Sequence, residues 1–311
     1  MMANKMNRRP KIIVVGSLNV DHTFRVARFP APGDTRTASG ASTAFGGKGA
    51  NQALAAARAG GEVTLIGCVG DDEQGAGYIR YLQGEGVHTD AIVRAGLHVP
   101  TGSAFIVVDE AGENLIVVNP GANHALLPEH LDAQAALIRT ADALLLQLEC
   151  QLTTVLRAVE IARAAGVPVI LNPSPLTPEF LHSRMKVHTL IVNEHEEEEA
   201  NRYIGGDENP TLAERCEQLI VTAGSRPARI TTAAQSLSLT PPRVTPVDTV
   251  GAGDAFAGAF AVALTEGRML NEAIAFANAA GALATLQPGA QTAIPRREEV
   301  IAFMKVQPRE S

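Results

Sequence analysis

The chain has 311 residues, of which 46% are hydrophobic, and it carries a formal net charge of −7. That length and apolar content predict one large α/β domain, or a core domain with an appendage. The acidic balance argues against a nucleic-acid partner, because a phosphate backbone demands clustered Lys and Arg.

The amino terminus, MMANKMNRRP, is polar and basic, and the first apolar run behind it has only the length of a strand. We therefore expect no signal peptide and no membrane-spanning segment. The cysteines Cys68, Cys150 and Cys216 are odd in number and widely spaced, which fits neither a metal-binding pair nor a disulfide framework. Such thiols are typical of a reducing compartment, so the sequence predicts a cytoplasmic protein.

Short β-branched runs alternate with Ala-rich segments of helical character along the chain. This alternation of strand and helix predicts a mainly parallel central sheet with helices on both faces. The predicted strands are 11–16, 63–70, 141–149, 167–173, 189–193 and 218–224, and the predicted helices are 50–60, 75–86 and 153–166.

Two stretches, 22–47 and 101–121, contain β segments and turns but no helix. The second has the pattern of a hairpin, in which FIVVD and NLIVVN flank the turn at 110–113. We predict that both stretches form one small sheet that projects from the core and covers a site as a lid. The alternative is an ordinary edge extension of the main sheet.

The motif DTVGAGDAFAGAF at 248–260 is the sharpest chemical signal in the chain. Gly251 and Gly253 permit backbone conformations that expose N–H groups, and the Ala-rich sequence behind them predicts a helix. A helix N-terminus attracts a phosphate or a developing anion. Asp254, in the first turn, can accept a proton from a substrate hydroxyl. The alternative is a purely structural capping Asp after a glycine turn.

The motif GGKGANQA at 46–53 combines glycines, Lys48 and Asn51 at a predicted helix start. It is not a Walker A loop, because Ser42 stands where a glycine is required and Gly49 where Ser or Thr is required. Its backbone and side-chain donors suit a polyhydroxylated ligand. A plain strand-to-helix turn is the structural alternative.

Polar side chains also follow the predicted strands, at the edge where parallel sheets bind ligands. Asn19 and Asp21 follow the first strand, and Glu149 ends the LLLQLE strand. Asn193 and Glu196 follow another strand with a spacing that suits hydrated Mg²⁺.

Taken in this order, these motifs resemble those of the ribokinase or PfkB family of carbohydrate kinases. The resemblance runs from about residue 11 to residue 295 and is most specific in GGKGANQA (46–53) and DTVGAGDAF (248–256). Other matching pieces are GANHALLP (121–128), LQLE (146–149), LNPSP (171–175), NEHE (193–196) and PGAQ (288–291).

Within the family the pattern is most similar to that of the ribokinases. The resemblance implies a ribokinase-like three-layer α/β/α sandwich with a mainly parallel central sheet and a small projecting β-sheet lid. Residues 1–311 would form a single kinase domain, with the lid made by about 17–45 and 97–120. In ribokinases the lid also pairs two subunits, so the resemblance implies a homodimer.

The resemblance also assigns roles. Asp254 would take the proton from the primary hydroxyl of a free pentose, D-ribose before others, as that hydroxyl attacks the γ-phosphate of ATP. The amides of Gly251, Ala252 and Gly253 would form the anion hole. The implied sugar ligands, besides Asp254, are Asn19, Asp21, Gly47, Lys48, Asn51 and Glu149.

For the cofactors, the resemblance implies ATP with Mg²⁺ and activation by K⁺. Asn193 and Glu196 match an NxxE motif that places Mg²⁺ and phosphate. The residues expected to border the nucleotide are Thr222, Gly224, Ser225, Arg226, Gly253 and Asn278. The monovalent cation would be held by Asp248 and by the carbonyls of Val250, Ala284, Gln287 and Gly289.

The chain departs from the family pattern in three places. Ala293 stands where ribokinases commonly have a serine in the cation loop, which weakens the expectation of K⁺ activation. Arg226-Pro227 replaces a continuation with glycine, and the proline removes an amide donor. The segment 205–218 is shorter than usual.

Two other functions are compatible with the sequence. A kinase for deoxyribose, another sugar or a nucleoside would need only an altered lid contact. A non-catalytic sugar sensor with the same fold would be expected to lose Asp254 or the glycines, and all of these residues are present.

Overall fold

The computed structural model of the chain describes residues 8–204 and 210–306. The strands in these residues are β1 (Lys11–Val15), β2 (Asn19–Arg25), β3 (Gly40–Gly46), β4 (Glu62–Val69), β5 (Ile92–Arg94), β6 (Gly102–Val108), β7 (Asn114–Asn119), β8 (Ala143–Leu146), β9 (Val169–Leu171), β10 (Val187–Asn193), β11 (Cys216–Ala223), β12 (Arg226–Thr232) and β13 (Ser236–Leu239). The helices are α1 (Lys48–Arg58), α2 (Glu73–Gly84), α3 (Pro128–Ala133), α4 (Ala135–Arg139), α5 (Leu152–Ala164), α6 (Pro178–His182), α7 (Glu194–Ile204), α8 (Ala252–Thr265), α9 (Leu270–Ala284), α10 (Ala290–Ala293) and α11 (Arg297–Val306).

The central sheet has nine described strands in the order β13-β12-β11-β10-β9-β8-β1-β4-β5. The strands from β11 to β5 are parallel to one another, which confirms the mainly parallel sheet. The antiparallel pair β12 and β13 at one edge was not predicted from the sequence. Buried residues of β12 and partly buried residues of β13 alternate with exposed ones, as in a strand pair with one face toward solvent, so neither strand is a continuous apolar run.

Both faces of the central sheet are buried, as the side chains of β1 show. Ile12 and Val14 pack into a cluster with helices α1, α8 and α9, whereas Ile13 and Val15 pack into a second cluster with α3, α4 and α5. Successive strand residues point to opposite faces, so an unbroken apolar strand requires a helical layer on each side. The three-layer α/β/α sandwich is therefore confirmed.

A separate sheet of four described strands, in the order β3-β2-β6-β7, accounts for the two β stretches. The predicted hairpin is confirmed, since β6 and β7 pair in antiparallel fashion around the turn at 109–113. This second sheet shares no strand with the central sheet, which excludes the edge-extension alternative. Its apolar residues are unusually exposed, with Phe105 at 45% and Val117 at 57%.

The segment 205–218, which we expect to be shorter than usual, is described only from residue 210 onward. Residues 205–209 lie outside the described residues. A short 3₁₀ turn, Ala213–Arg215, leads into β11. The fully buried guanidinium of Arg215 donates to the carbonyls of Pro210 at 3.0 Å and Phe180 at 3.1 Å, which ties this turn to α6. Across 8–204 and 210–306, none of the helices combines the length and apolar character needed to cross a bilayer.

Candidate active site

Helix α8 begins at the predicted glycine turn. Gly251 is the N-cap residue and has a φ of 78°, in the left-handed region that glycine adopts without strain. A Cβ at this position would lie 3.0 Å from the Cα of Ala290. The helix start directs backbone N–H groups outward, although that of Ala252 also closes the turn onto the carbonyl of Thr249 at 3.3 Å. The turn therefore requires glycine and forms an electropositive helix end.

Asp254 lies in the first turn of α8 and is only 6% exposed. Its Oδ2 accepts a hydrogen bond from Nδ2 of Asn51 at 2.9 Å, and its Oδ1 accepts one from Nε2 of Gln52 at 2.9 Å. Both donors come from α1 and belong to the first glycine motif, within which this helix begins. The two motifs, 202 residues apart at Gln52 and Asp254, thus meet at one carboxylate.

Glu149 connects the ends of strands β1 and β8. Its Oε2 accepts the hydroxyl of Ser17 and, at 2.9 Å, the backbone N–H of Lys48. Gly47 precedes that N–H with a φ of 88°, and a Cβ there would lie 2.7 Å from the backbone N of Asn19. The close approach of these segments brings the predicted sugar ligands together.

Asp21 lies on β2, opposite Ala44 of β3 and Ala104 of β6. Burial, to which the nearby Glu149 carboxylate adds, raises the pKa of Asp21 from 3.8 to about 7. A polar ligand that stabilises the carboxylate would restore its charge.

Asn19 is held by a residue that the sequence analysis did not single out. Its Oδ1 accepts a hydrogen bond from Nδ2 of Asn123 at 2.7 Å, and Oδ1 of Asn123 accepts the N–H of Leu18 at 2.8 Å. This contact leaves the Nδ2 group of Asn19 as the end available to a ligand.

Asn193 and Glu196 form a reciprocal pair at the start of α7. The N–H of Asn193 donates to Oε2 of Glu196 at 2.9 Å, and the N–H of Glu196 donates to Oδ1 of Asn193 at 2.8 Å. This is a capping-box arrangement, so the NxxE motif has a structural role in ending β10 and beginning α7.

A cleft of about 220 Å³ brings the two halves of the site together. The predicted residues that line it are Lys48, Asn193, Glu196, Thr222, Gly251, Gly253 and Asp254. The cleft runs along the carboxyl ends of the parallel strands, from the predicted sugar ligands to the predicted nucleotide residues, as in other open α/β sheets.

The remaining predicted nucleotide residues lie outside this cleft. Gly224 and Ser225 form the turn between β11 and β12, and Arg226 is paired with Glu194 of α7. Asn278, on α9, donates at 3.4 Å to the carbonyl of Leu239. Arg226 and Asn278 therefore both have protein partners in this structure.

The predicted cation loop is organised around Asp248. Its Oδ1 accepts the N–H of Val250 at 3.0 Å, and its Oδ2 accepts the N–H of Gly289 at 2.8 Å. The other members of the predicted set, Ala284, Gln287 and Ala293, lie at the end of α9 and around α10. Asp248 thus joins the two loops that flank the glycine turn.

A larger cavity of about 480 Å³ lies at the amino ends of the strands. Among the arginines that line it, Arg58 and Arg296 pair with Glu85, and Arg297 pairs with Glu266. Its carboxylates Glu85 and Glu266 are engaged by these arginines, and none of the predicted site residues lines it, so the smaller cleft is the candidate active site.

Four amide residues of the site had no role predicted from the sequence, although each lies within a motif quoted above: Gln52, Asn123, Gln147 and Asn172. The available signal was an amide next to a glycine motif or at a strand end. Amides carry no charge, however, and their partners here are distant in sequence.

The model of the pfkB family of carbohydrate kinases matches residues 9–297 of this chain. A ribokinase of Haemophilus influenzae is 36% identical over 307 residues, which cover 96% of this chain and 99% of that protein. The crystal structure of ribokinase from Thermotoga maritima has a TM-score of 0.84 at 34% identity, covering 96% of this chain and 100% of that one. The structure of Arabidopsis thaliana ribokinase complexed with ribose and ATP also has a TM-score of 0.84, at 32% identity and the same coverage.

The three-layer sandwich with its projecting sheet is thus a ribokinase fold. The chain belongs to the PfkB family of carbohydrate kinases.

Proposed function

We propose that this kinase transfers the γ-phosphoryl group of ATP to the primary hydroxyl of a free pentose, D-ribose, giving D-ribose 5-phosphate and ADP. The observation that carries the proposal is the buried Asp254 carboxylate, oriented by two amides beside the amide-rich start of α8. The ribokinases of Haemophilus influenzae and Bacillus subtilis, each 36% identical over nearly their whole length, support the choice of sugar.

In the reaction, Asp254 takes the proton of the sugar hydroxyl as its oxygen forms a bond to the γ-phosphorus. The bond between that phosphorus and the bridging oxygen breaks, and the electron pair leaves with ADP. Backbone N–H groups of Gly251, Ala252 and Gly253 stabilise the negative charge that spreads over the transferring group.

We propose that the sugar binds between β1, β2 and α1, where the ligand set includes both acids and amides. Asp21 and Glu149 accept hydrogen bonds from sugar hydroxyls, and Asn19 donates one. The full proposed set is Asn19, Asp21, Gly47, Lys48, Asn51, Glu149 and Asp254.

We propose that the nucleotide lies along the ends of β10 and β11, with Thr222, Gly224, Ser225, Arg226 and Asn278 at its border. Within 8–204 and 210–306, no three His, Cys, Asp or Glu side chains cluster as a metal site. A magnesium ion that arrives on nucleotide phosphates needs only one or two protein carboxylates, and Glu196 in the cleft, with Asn193, fits that requirement. Such an ion would neutralise phosphate charge.

We propose that K⁺ binds beside Asp248, between the loops that flank the glycine turn. The carboxylate and the carbonyls of Val250, Ala284, Gln287 and Gly289 are oxygen ligands of the kind that alkali cations require. Ala293 contributes no hydroxyl there. The role of the ion would be to support the loops that shape the anion hole.

We propose that the whole chain is one kinase domain and that the second sheet acts as its lid. Its exposed apolar residues, Phe105 and Val117 among them, would be covered by a second copy of the chain, giving a homodimer. The free thiols Cys68, Cys150 and Cys216 fit a cytoplasmic location.

A coupled ADP-release assay over a panel of sugars and nucleosides, with and without K⁺, tests the substrate. D-ribose should have the highest kcat/KM. Deoxyribose is the second candidate, because a deoxyribokinase of Salmonella typhi is 32% identical over 303 residues. A preference for a nucleoside would refute the pentose assignment.

The Asp254→Asn variant tests the base. We expect turnover to fall by roughly 10²–10⁴-fold or more, while calorimetric sugar binding stays measurable. Near-normal turnover in this variant would exclude Asp254 as the base.

A further inference from the structure

We propose that two chains of hydrogen-bonded, buried side chains orient the catalytic carboxylate, with Gln52 and Gln291 as positioning residues. Gln147 and Gln52 form the first chain. Tyr78, Gln291 and Asn51 form the second. The inference rests on the proposed function, since it takes Asp254 as the base. Each carboxylate oxygen receives one amide N–H, from Asn51 at 2.9 Å and from Gln52 at 2.9 Å. The hydrogen-bond partners of these two amides determine how rigidly the amides are held.

The amide of Gln52 can bind in only one orientation. Nδ2 of Asn172 donates at 2.9 Å to the carbonyl of Ile191, a group that can only accept, so Oδ1 of Asn172 faces Gln52. Nε2 of Gln52 lies 3.3 Å from that Oδ1. Nε2 of Gln147 donates at 2.6 Å to Oε1 of Gln52. Asn172 therefore requires Gln52 to present its NH₂ group toward Asp254, and Gln147 donates to the oxygen end that this orientation leaves.

The second chain fixes the orientation of Asn51, the amide that donates to the other carboxylate oxygen of Asp254. The hydroxyl of Tyr78 donates to the carbonyl of Gly46, and burial raises the pKa of Tyr78 well above its ordinary value, so the proton stays on this hydroxyl. The Tyr78 oxygen then accepts Nε2 of Gln291, which also donates at 2.9 Å to Oδ1 of Asn51. Asn51 must consequently turn its NH₂ group to Asp254.

The amides of both chains are inaccessible to water that could replace a lost partner. Gln52 is 0% exposed, Gln147 1%, Gln291 3% and Asn51 5%. Among the described residues, Oε1 of Gln147 and Oε1 of Gln291 have no hydrogen-bond partner, so each glutamine contacts its chain through its NH₂ end.

The consequence for the chemistry is a carboxylate whose rotation is fixed before substrate arrives. Each oxygen keeps acceptor capacity for the substrate hydroxyl. Preorganisation of this kind acts on the reaction step, because a small misplacement of a base slows proton transfer. Gln52 and Gln147 belong to neither the proposed sugar set nor the proposed nucleotide set, so their loss should lower kcat and leave KM unchanged.

Gln147→Met keeps the side-chain length and removes both the carbonyl oxygen and the NH₂ group of the amide. We expect kcat to fall by about tenfold or more, with KM for sugar and ATP and the calorimetric Kd for sugar changed by less than about twofold. Gln52→Met should lower kcat at least as much. The double variant should match Gln52→Met alone, because Gln147 acts through Gln52. Gln83→Met is the matched control, since Gln83 also makes one amide hydrogen bond, to Thr89 at 2.9 Å.

Wild-type kcat in Gln147→Met would overturn the inference, as would fully additive losses in the double variant or a kcat loss that parallels a loss of sugar affinity. If Gln147→Met does not fold, Tyr78→Phe tests the second chain by removing a single hydroxyl. It should lower kcat with sugar affinity retained, and an unchanged kcat would overturn the inference equally.

Failure of the proposed function gives a different result. In that case the wild-type protein phosphorylates no pentose, or Asp254→Asn retains turnover. The positioning proposal alone is refuted if the wild type is active, Asp254→Asn is inactive and Gln147→Met has the wild-type kcat. The proposed function then stands.

Discussion

The raised pKa of Asp21 makes a quantitative prediction for sugar binding. The ionised carboxylate accepts hydrogen bonds on both oxygens, whereas the protonated form loses acceptor capacity. With the pKa at about 7, the ionised fraction is about 0.9 at pH 8 and about 0.1 at pH 6. We therefore expect KM for the sugar to rise about tenfold from pH 8 to pH 6 at saturating ATP.

The assay is ADP release against sugar concentration across this pH range. Asp21→Asn is the control, because its side chain does not titrate. Its KM for the sugar should be nearly independent of pH and close to the KM of the wild type at pH 6. Glu149→Gln should move the midpoint to lower pH without returning it to 3.8, since burial is the larger cause of the shift and remains. A flat wild-type profile, or the same slope in Asp21→Asn, would refute the reasoning.

The same shift affects stability, with a defined sign. The folded pKa of Asp21 lies above the unfolded one, so its contribution to stability is present below pH 3.8 and is lost as pH rises through about 7. Relative to the wild type, Asp21→Asn should therefore be more stable at pH 8 than at pH 4, by on the order of 1–3 kcal/mol in urea unfolding. An equal difference at both pH values would contradict the assigned titration.

Three further predictions follow from the loops and the second sheet. Gly251→Ala should lower the free energy of unfolding by at least about 1–2 kcal/mol and reduce kcat, because the φ of 78° is unfavourable for alanine. Gly253→Ala is the control: the added Cβ would meet no atom within 4 Å, so the Tm should be unchanged. Phe105→Glu should give a monomer in sedimentation equilibrium, with Met269→Glu, an exposed apolar residue outside the sheet, as the control. Asp248→Ala should abolish K⁺ stimulation of kcat, measured at constant ionic strength.

Each of these has a contrary outcome. Equal stability of the two glycine variants would mean that the left-handed turn is not strained by a side chain. A dimer that survives Phe105→Glu would move the interface to another surface. K⁺ stimulation that persists without the Asp248 carboxylate would place the ion elsewhere.

The central sheet was predictable because strands buried on both faces appear as short β-branched runs between helical segments. Strands β1, β4, β8, β9, β10 and β11 were all predicted within a few residues. The short β5 and the edge pair β12 and β13 were not, because they are brief or have one exposed side and lack such runs.

At the site, the glycine motifs predicted a carboxylate beside an amide-rich helix start, and Asp254 lies there. The supporting amides were not predictable. Gln147 has no charge and no characteristic spacing, and its role depends on Gln52, 95 residues away. Such contacts are set by how α1 packs against the sheet, which no local pattern encodes. The sequence also suggested a cation-binding spacing for Asn193 and Glu196, whose mutual capping bonds became visible only in three dimensions.

Strand β2 is a place where the length of the chain cannot vary. Asp21 lies on one face of the second sheet and Phe24 on the other, because successive residues of a strand alternate. Inserting or deleting one residue within β2 would exchange these faces and lose the proposed sugar ligand and the apolar outer surface together. The connection at 26–39 is mostly exposed and can change length at small entropic cost. Evolutionary divergence, and any lid grafted to alter substrate preference, should therefore concentrate its insertions in that connection and preserve the strand residue for residue.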